Sequence, residues 1–84
     1  MLGVMSMLNL SNLEKNKTAI IKKISTSAGE ERLLEMGFIE DSIVKVMYLG
    51  VGGNPIAVRI NNNNMLVSLR KQDAIAILVE PTHA

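Results

Sequence analysis

A single glycine sets the local geometry of this chain. In the stretch ERLLEMGFIEDSIVKV, from Glu31 to Val46, an acid-rich and leucine-rich turn runs into Gly37 and then straight into a β-branched segment. Ser27, with Glu30 three residues on, has the spacing of a capping box, which predicts a short helix from about Ala28 to Met36. Gly37 then stands where the backbone leaves a helix in a left-handed conformation, and Phe38 is placed to pack back on Leu33. Leu33, Leu34, Met36 and Phe38 are expected to bury one side of this corner. Glu30, Glu31, Glu35, Glu40 and Asp41 are left for its wet side.

Elsewhere the chain reads as short strands. Thr18 to Ile24 is rich in β-formers, with Ala19 and Ile21 on one face and Ile24 out of step, as a bulge or a strand end would produce. Ser42 to Leu49 predicts a second strand with Val44, Val46 and Tyr48 on one face, and Pro55 to Ile60 a third with Ile56, Val58 and Ile60 inward. Residues 50–54, a glycine-rich loop, connect those two. Asn61 to Asn64 is a turn signal, because asparagine tolerates left-handed dihedrals and bonds to its own backbone. Met65 to Leu69 predicts a fourth strand, Arg70 to Ala74 a helical turn, and Ile75 to Val79 a last strand before Pro81. Five short strands in so small a chain favour a closed or nearly closed barrel, since closure removes exposed edges.

The 84 residues suffice for one core, and a domain of this size buries only about 60% of its unfolded surface. One domain over residues 1–84 is expected, with its core at about 8–80 and loose ends at 1–7 and 81–84. No apolar run approaches the roughly 18 residues that span a bilayer, and the opening MLGVMSML lacks the charge and cleavage pattern of a signal peptide. A cytoplasmic protein without membrane insertion, monomeric or weakly self-associating, is the resulting expectation. The chain has no cysteine, which excludes disulfides, iron–sulfur ligation, thiolate zinc sites and thiol nucleophiles. Nine basic against eight acidic residues and two aromatics give neither a phosphate-tracking surface nor a base-stacking platform, so nucleic acid is not an expected partner.

Few residues carry chemistry. Glu31 and Glu35 share a helical face and could hold a cation, but iron and zinc sites recruit imidazole or thiolate, and none is near. The acids read as a solvated face, and His83, one residue from the end of the sequence, is too poorly tethered for a fixed ligand geometry. No metal site, no cofactor and no catalytic residues are expected; without a central histidine or a nucleophile motif the chain does not read as an enzyme. The glycines after Leu49 lead into Pro55 and a strand, where a phosphate-binding loop would open a helix. Leu49, Val51, Gly52, Gly53, Pro55 and Ile56 instead suggest an apolar, glycine-flanked tip on which another protein could dock. Arg70, between the fourth strand and the helical turn, could reach a nucleotide phosphate in trans or pair with Asp73.

Three segments in order resemble the FeoA family of bacterial ferrous-iron uptake. Leu10-x-x-Leu13 with Ala19, Ile21 and Ile24 resembles its first strand region. Arg32, Leu33, Leu34 and Gly37, within RLLEMGFI, resemble its most specific signature. Ser68 to Ala74 with Ile77 and Val79 is similar to its end, so the resemblance covers about Leu10 to Val79. Asn16 and Glu40-Asp41 depart from it, standing where the family has a glycine and a Pro-Gly turn. The resemblance implies a mainly β, SH3-like five-stranded barrel with one short α-helix and a helical turn before the last strand. It also implies a non-catalytic adaptor or regulator that binds the cytosolic part of the FeoB transporter. Alternatives are a GTPase-activating partner of that transporter, through Arg70 or Arg59, and a stand-alone metal-responsive module, since a similar barrel occurs in iron-dependent repressors. With two aromatics the chain cannot line a proline-peptide groove, so partner contact should use aliphatic or backbone surfaces.

Overall fold

The computed structural model describes residues 7–25, 29–61 and 66–82. Six strands and two short helices follow one another: β1 (Leu8–Asn9), β2 (Thr18–Ile24), α1 (Glu30–Glu35), β3 (Ile43–Leu49), β4 (Ile56–Ile60), β5 (Leu66–Leu69), α2 (Lys71–Ile75) and β6 (Ile77–Pro81). Single 3-10 turns form at Leu10–Asn12 and Val51–Gly53. All pairings are antiparallel, in the order β1-β6-β2-β3-β4-β5.

Two parts of the expected five-stranded barrel are corrected. The described residues form six strands, and among them the hydrogen-bonded ladder is open, because β1 pairs only with β6 and β5 only with β4. A two-residue β1 offers too little backbone to close a barrel. The Leu10–Asn12 turn and α2 pack together there instead, burying Leu10 and Ala74.

Alternation builds the core. Ala19 and Ile21 of β2, Val44 and Val46 of β3, Ile56, Val58 and Ile60 of β4, and Ile77 and Val79 of β6 all point inward, around Leu33 and Phe38. Two bulges interrupt the period. Opposite Val79 and Leu78 of β6 stand Ile21 and Lys23, which makes Lys22 the extra residue and explains why Ile24 falls out of step. Opposite Val58 and Ala57 stand Val46 and Tyr48, which makes Met47 extra. The second bulge overturns the expectation that Tyr48 shares the face of Val44 and Val46; its side chain is 53% exposed.

The corner after α1 is a Schellman motif. The Phe38 N–H donates to the Leu33 carbonyl at 3.0 Å and the Gly37 N–H to the Leu34 carbonyl at 3.0 Å. Gly37 has φ +103, and a Cβ there would stand 3.3 Å from Cδ1 of Ile60. The corner is then sewn to β2, with the Asp41 N–H on the Ile21 carbonyl (2.8 Å) and the Ile21 N–H on the Ser42 carbonyl (2.9 Å). The helix start differs from expectation: α1 begins at Glu30 with Gly29 as N-cap and no side-chain cap, so Glu30 is not the third helical residue a capping box requires. Ser27 lies outside the described residues, as do Met65 and Asn62 to Asn64.

Among the described residues, three that are not glycine have positive φ: Asn16 (70), Asp41 (73) and Asn61 (52). The first two are the positions where the chain departs from the glycines of its look-alike family, and their backbone is glycine-like. Asn61 ends the hairpin by serving Ile43 twice: its N–H donates to the Ile43 carbonyl (2.7 Å) and its Oδ1 accepts from the Ile43 N–H (2.8 Å). The last strand runs on to Pro81, paired with Ala19, and the Thr82 N–H reaches the Thr18 carbonyl at 3.0 Å. Ile75, expected in that strand, instead closes α2.

Candidate functional site

The β3–β4 connection is a tight, pinned tip. Its mouth is closed by the Gly50 N–H on the Pro55 carbonyl (2.8 Å), and its turn by the Gly53 N–H on the Gly50 carbonyl (2.8 Å). Gly52 and Gly53 have φ +70 and +80, conformations that side chains resist. Gly50 is required for another reason: an ideal Cβ on it would lie 2.4 Å from the Asn54 carbonyl oxygen. Outside, α2 straps the tip from the flank. The Lys71 N–H donates to Oδ1 of Asn54 at 3.1 Å, and Lys71 Nζ to the Gly52 carbonyl at 3.3 Å.

This frame holds Val51 97% exposed. Pro55 and Gly52 are exposed beside it and Gly53 half-buried, while Leu49 packs on the rim of the core. Ile56 is fully buried, so it roots the loop in the core and offers no surface. The glycines therefore do not make a wobbling linker.

Arg70 is the N-cap residue of α2, and its Nε lies 3.4 Å from Oδ2 of Asp73. Arg32 of α1 meets the same oxygen, its Nη2 donating at 2.9 Å. The pairing open to Arg70 in the sequence is thus made, and the signature arginine Arg32 ties the corner to α2. Of the other signature residues, Leu33 is core and Gly37 makes the turn, but Leu34 is 43% exposed, against the expectation that it buries. A five- or six-residue helix has room for only one inward side chain in its last turn, and Leu33 takes it.

Glu30, Glu31, Glu35, Glu40 and Asp41 are all exposed. Among the described residues no three His, Asp or Glu side chains converge to hold a metal ion. His83 lies outside them. No described helix is long and apolar enough to cross a membrane. Arg59 lies in β4 opposite Lys45 and Leu66.

The strap of Lys71 and Asn54 and the Arg32–Asp73 link were not visible in the sequence. Their partners are 17 and 41 residues apart, and polar pairs across loops leave no periodic trace.

The model of the FeoA domain family matches residues 8–81. The chain belongs to the FeoA domain family. That family is associated with ferrous iron transport and is a small, non-catalytic accessory domain of it. Among solved FeoA structures, iron(II) transport protein A from Clostridium thermocellum is 32% identical with a TM-score of 0.81, over 89% of this chain and 46% of that one. Stenotrophomonas maltophilia FeoA, solved with zinc and described as a prokaryotic SH3 domain protein, is 27% identical. Its TM-score is 0.73, over 86% of this chain and 88% of that one. The fold is accordingly SH3-like, although its ladder is open. A manganese-dependent transcriptional repressor in complex with manganese shares that fold at 20% identity and a TM-score of 0.83, over 95% of this chain but 39% of the repressor. A comparison with curated proteins finds no matching sequence.

Proposed function

We propose that this FeoA domain is a non-catalytic adaptor of ferrous-iron uptake that binds the cytosolic part of an FeoB-type transporter through the tip at residues 49–55. The observation that supports this is Val51: a branched apolar side chain held almost wholly in water on a backbone fixed from both sides. A flexible loop would lose entropy on docking, whereas a pinned one presents its anchor ready-made. The reading draws the transporter from the family and the contact from the geometry.

Titration of the full chain against the transporter's cytosolic domain, with and without guanine nucleotide, tests it. Val51→Asp should weaken binding at least about tenfold, equivalent to about 1.4 kcal/mol, without lowering the melting temperature. Wild-type affinity in that variant would overturn the choice of surface, and no binding by the wild type would overturn the adaptor role.

A further inference from the structure

Leu34 and Ile39, which the corner leaves 43% and 53% exposed, do not stand apart. With Ile24 they line a depression of about 250 Å³ whose remaining walls are Glu30 and Glu40. Among the described residues no lysine or arginine lines it. Ile39 is also a wall of a second depression, of about 470 Å³, floored by Met36, Ile60 and Val67 with Ser42 and Asn61 at its polar end. The two share Ile39 as a wall and together make the surface beside the Gly37 corner called the groove, with both carboxylates in the smaller depression. Glu30 and Leu34 lie on one helical face, i,i+4, so the charge and the apolar anchor point are presented together.

We propose that this groove is a docking site for a basic amphipathic segment of a partner protein, one that sets large apolar side chains into the two depressions and lays lysine or arginine over Glu30 and Glu40. Apolar anchors in a groove supply the affinity of such contacts, and the charges around them select the partner and speed encounter. The acidic rim decides against other occupants. An anionic membrane surface would be repelled. A second copy joined about a twofold axis that passes through this acidic rim would set Glu30 and Glu40 against their own counterparts. The groove is formed by the end of β2, α1, the corner and the β4–β5 side, while the 49–55 tip projects from the β3–β4 connection, so the inference does not depend on the tip's role.

Selection of a random-peptide display library on the immobilised full chain tests this, with an Ile39→Asp/Glu40→Lys variant for counter-selection. Both residues are exposed, so the variant should melt with the wild type; a Leu34→Ser chain offers a second, milder control. Enriched sequences should pair large apolar residues with lysine or arginine. A synthetic representative should bind the wild type at least tenfold more tightly than Glu30→Lys/Glu40→Lys, lose affinity as salt is raised, and shift the NMR signals of Ile24, Leu34 and Ile39. Val51→Asp should leave it unaffected. Failure to enrich over the counter-selected variant, enrichment of acidic or uncharged sequences, shifts mapping elsewhere, or self-association through these residues would each overturn the proposal.

Discussion

Replacing Gly50 by alanine separates two effects that give opposite signs. Gly50 has φ −72 and ψ −179, which alanine adopts freely, so backbone preference alone predicts a gain of about 0.4–1 kcal/mol from the stiffer unfolded chain. The surroundings predict a loss. The new Cβ would lie 2.4 Å from the Asn54 oxygen and 2.7 Å from both the Asn54 carbonyl carbon and Pro55 Cδ. These are backbone and ring atoms that cannot swing aside. Relief requires the two sides of the mouth to part by roughly 0.8 Å, which stretches the 2.8 Å bond from Gly50 to Pro55 beyond the range of a hydrogen bond. The lost bond costs about 1 kcal/mol and the overpacking about 1–3. After the unfolded-state gain, a net destabilisation of about 1–3.5 kcal/mol remains. For a domain of this size that lowers the melting temperature by roughly 4–28 °C. Thermal and urea unfolding followed by circular dichroism measures it, with Gly52→Ala as the reference. Gly52 has open space around it and φ +70, so alanine there costs only the backbone strain, about 1 kcal/mol. Gly50→Ala as stable as the wild type, or less damaging than Gly52→Ala, would refute the reasoning.

Other expectations follow from the same geometry. Asn16→Gly and Asp41→Gly, at φ +70 and +73, should each raise stability by a few tenths to about 1 kcal/mol, read as a higher urea midpoint at unchanged slope. Phe38→Ala removes a fully buried ring at the corner and should cost about 3–5 kcal/mol, enough to unfold much of a marginal domain on warming. Asp73→Asn loosens both arginines from one carboxylate; because the arginines are half exposed, the loss should be about 1 kcal/mol or less and should shrink in high salt.

The sequence exposed what is local and periodic. Gly37 with Phe38 and Leu33 produced the corner as expected, because a left-handed exit and its apolar clasp are written within six residues. The bulge at Lys22 was visible as a slipped Ile24. Met47 was not, since nothing in the alternation of Val44, Val46 and Tyr48 marks an extra residue, and so Tyr48 went to the wrong face. β1 escaped because two residues carry no period, and with it went the true count and closure of the sheet. The candidate tip was legible in its glycines and Val51. Its pinning by Lys71 and Asn54 is a product of folding, whereas the burial of Ile56 was already legible in its alternation with Val58 and Ile60. Leu34 read as core because its neighbour Leu33 is; only the shortness of α1 turns one of them outward.

The placement of β6 between β1 and β2 bears on how the molecule comes into being. Among the described residues β1 has no other strand to pair with, and β2 keeps one edge empty until residues 77–81 arrive. The sheet therefore cannot be finished before residues 77–81 have been made, although β3, β4 and β5 can already zip as local hairpins. Pairings between residues about 60 apart are slow to find, so the last strand is expected to be the late, rate-setting event. A chain cut short before Ile77 would hold its Val51 tip in a hairpin with no finished sheet beneath it, which makes the far end of the molecule the quality check on the near one.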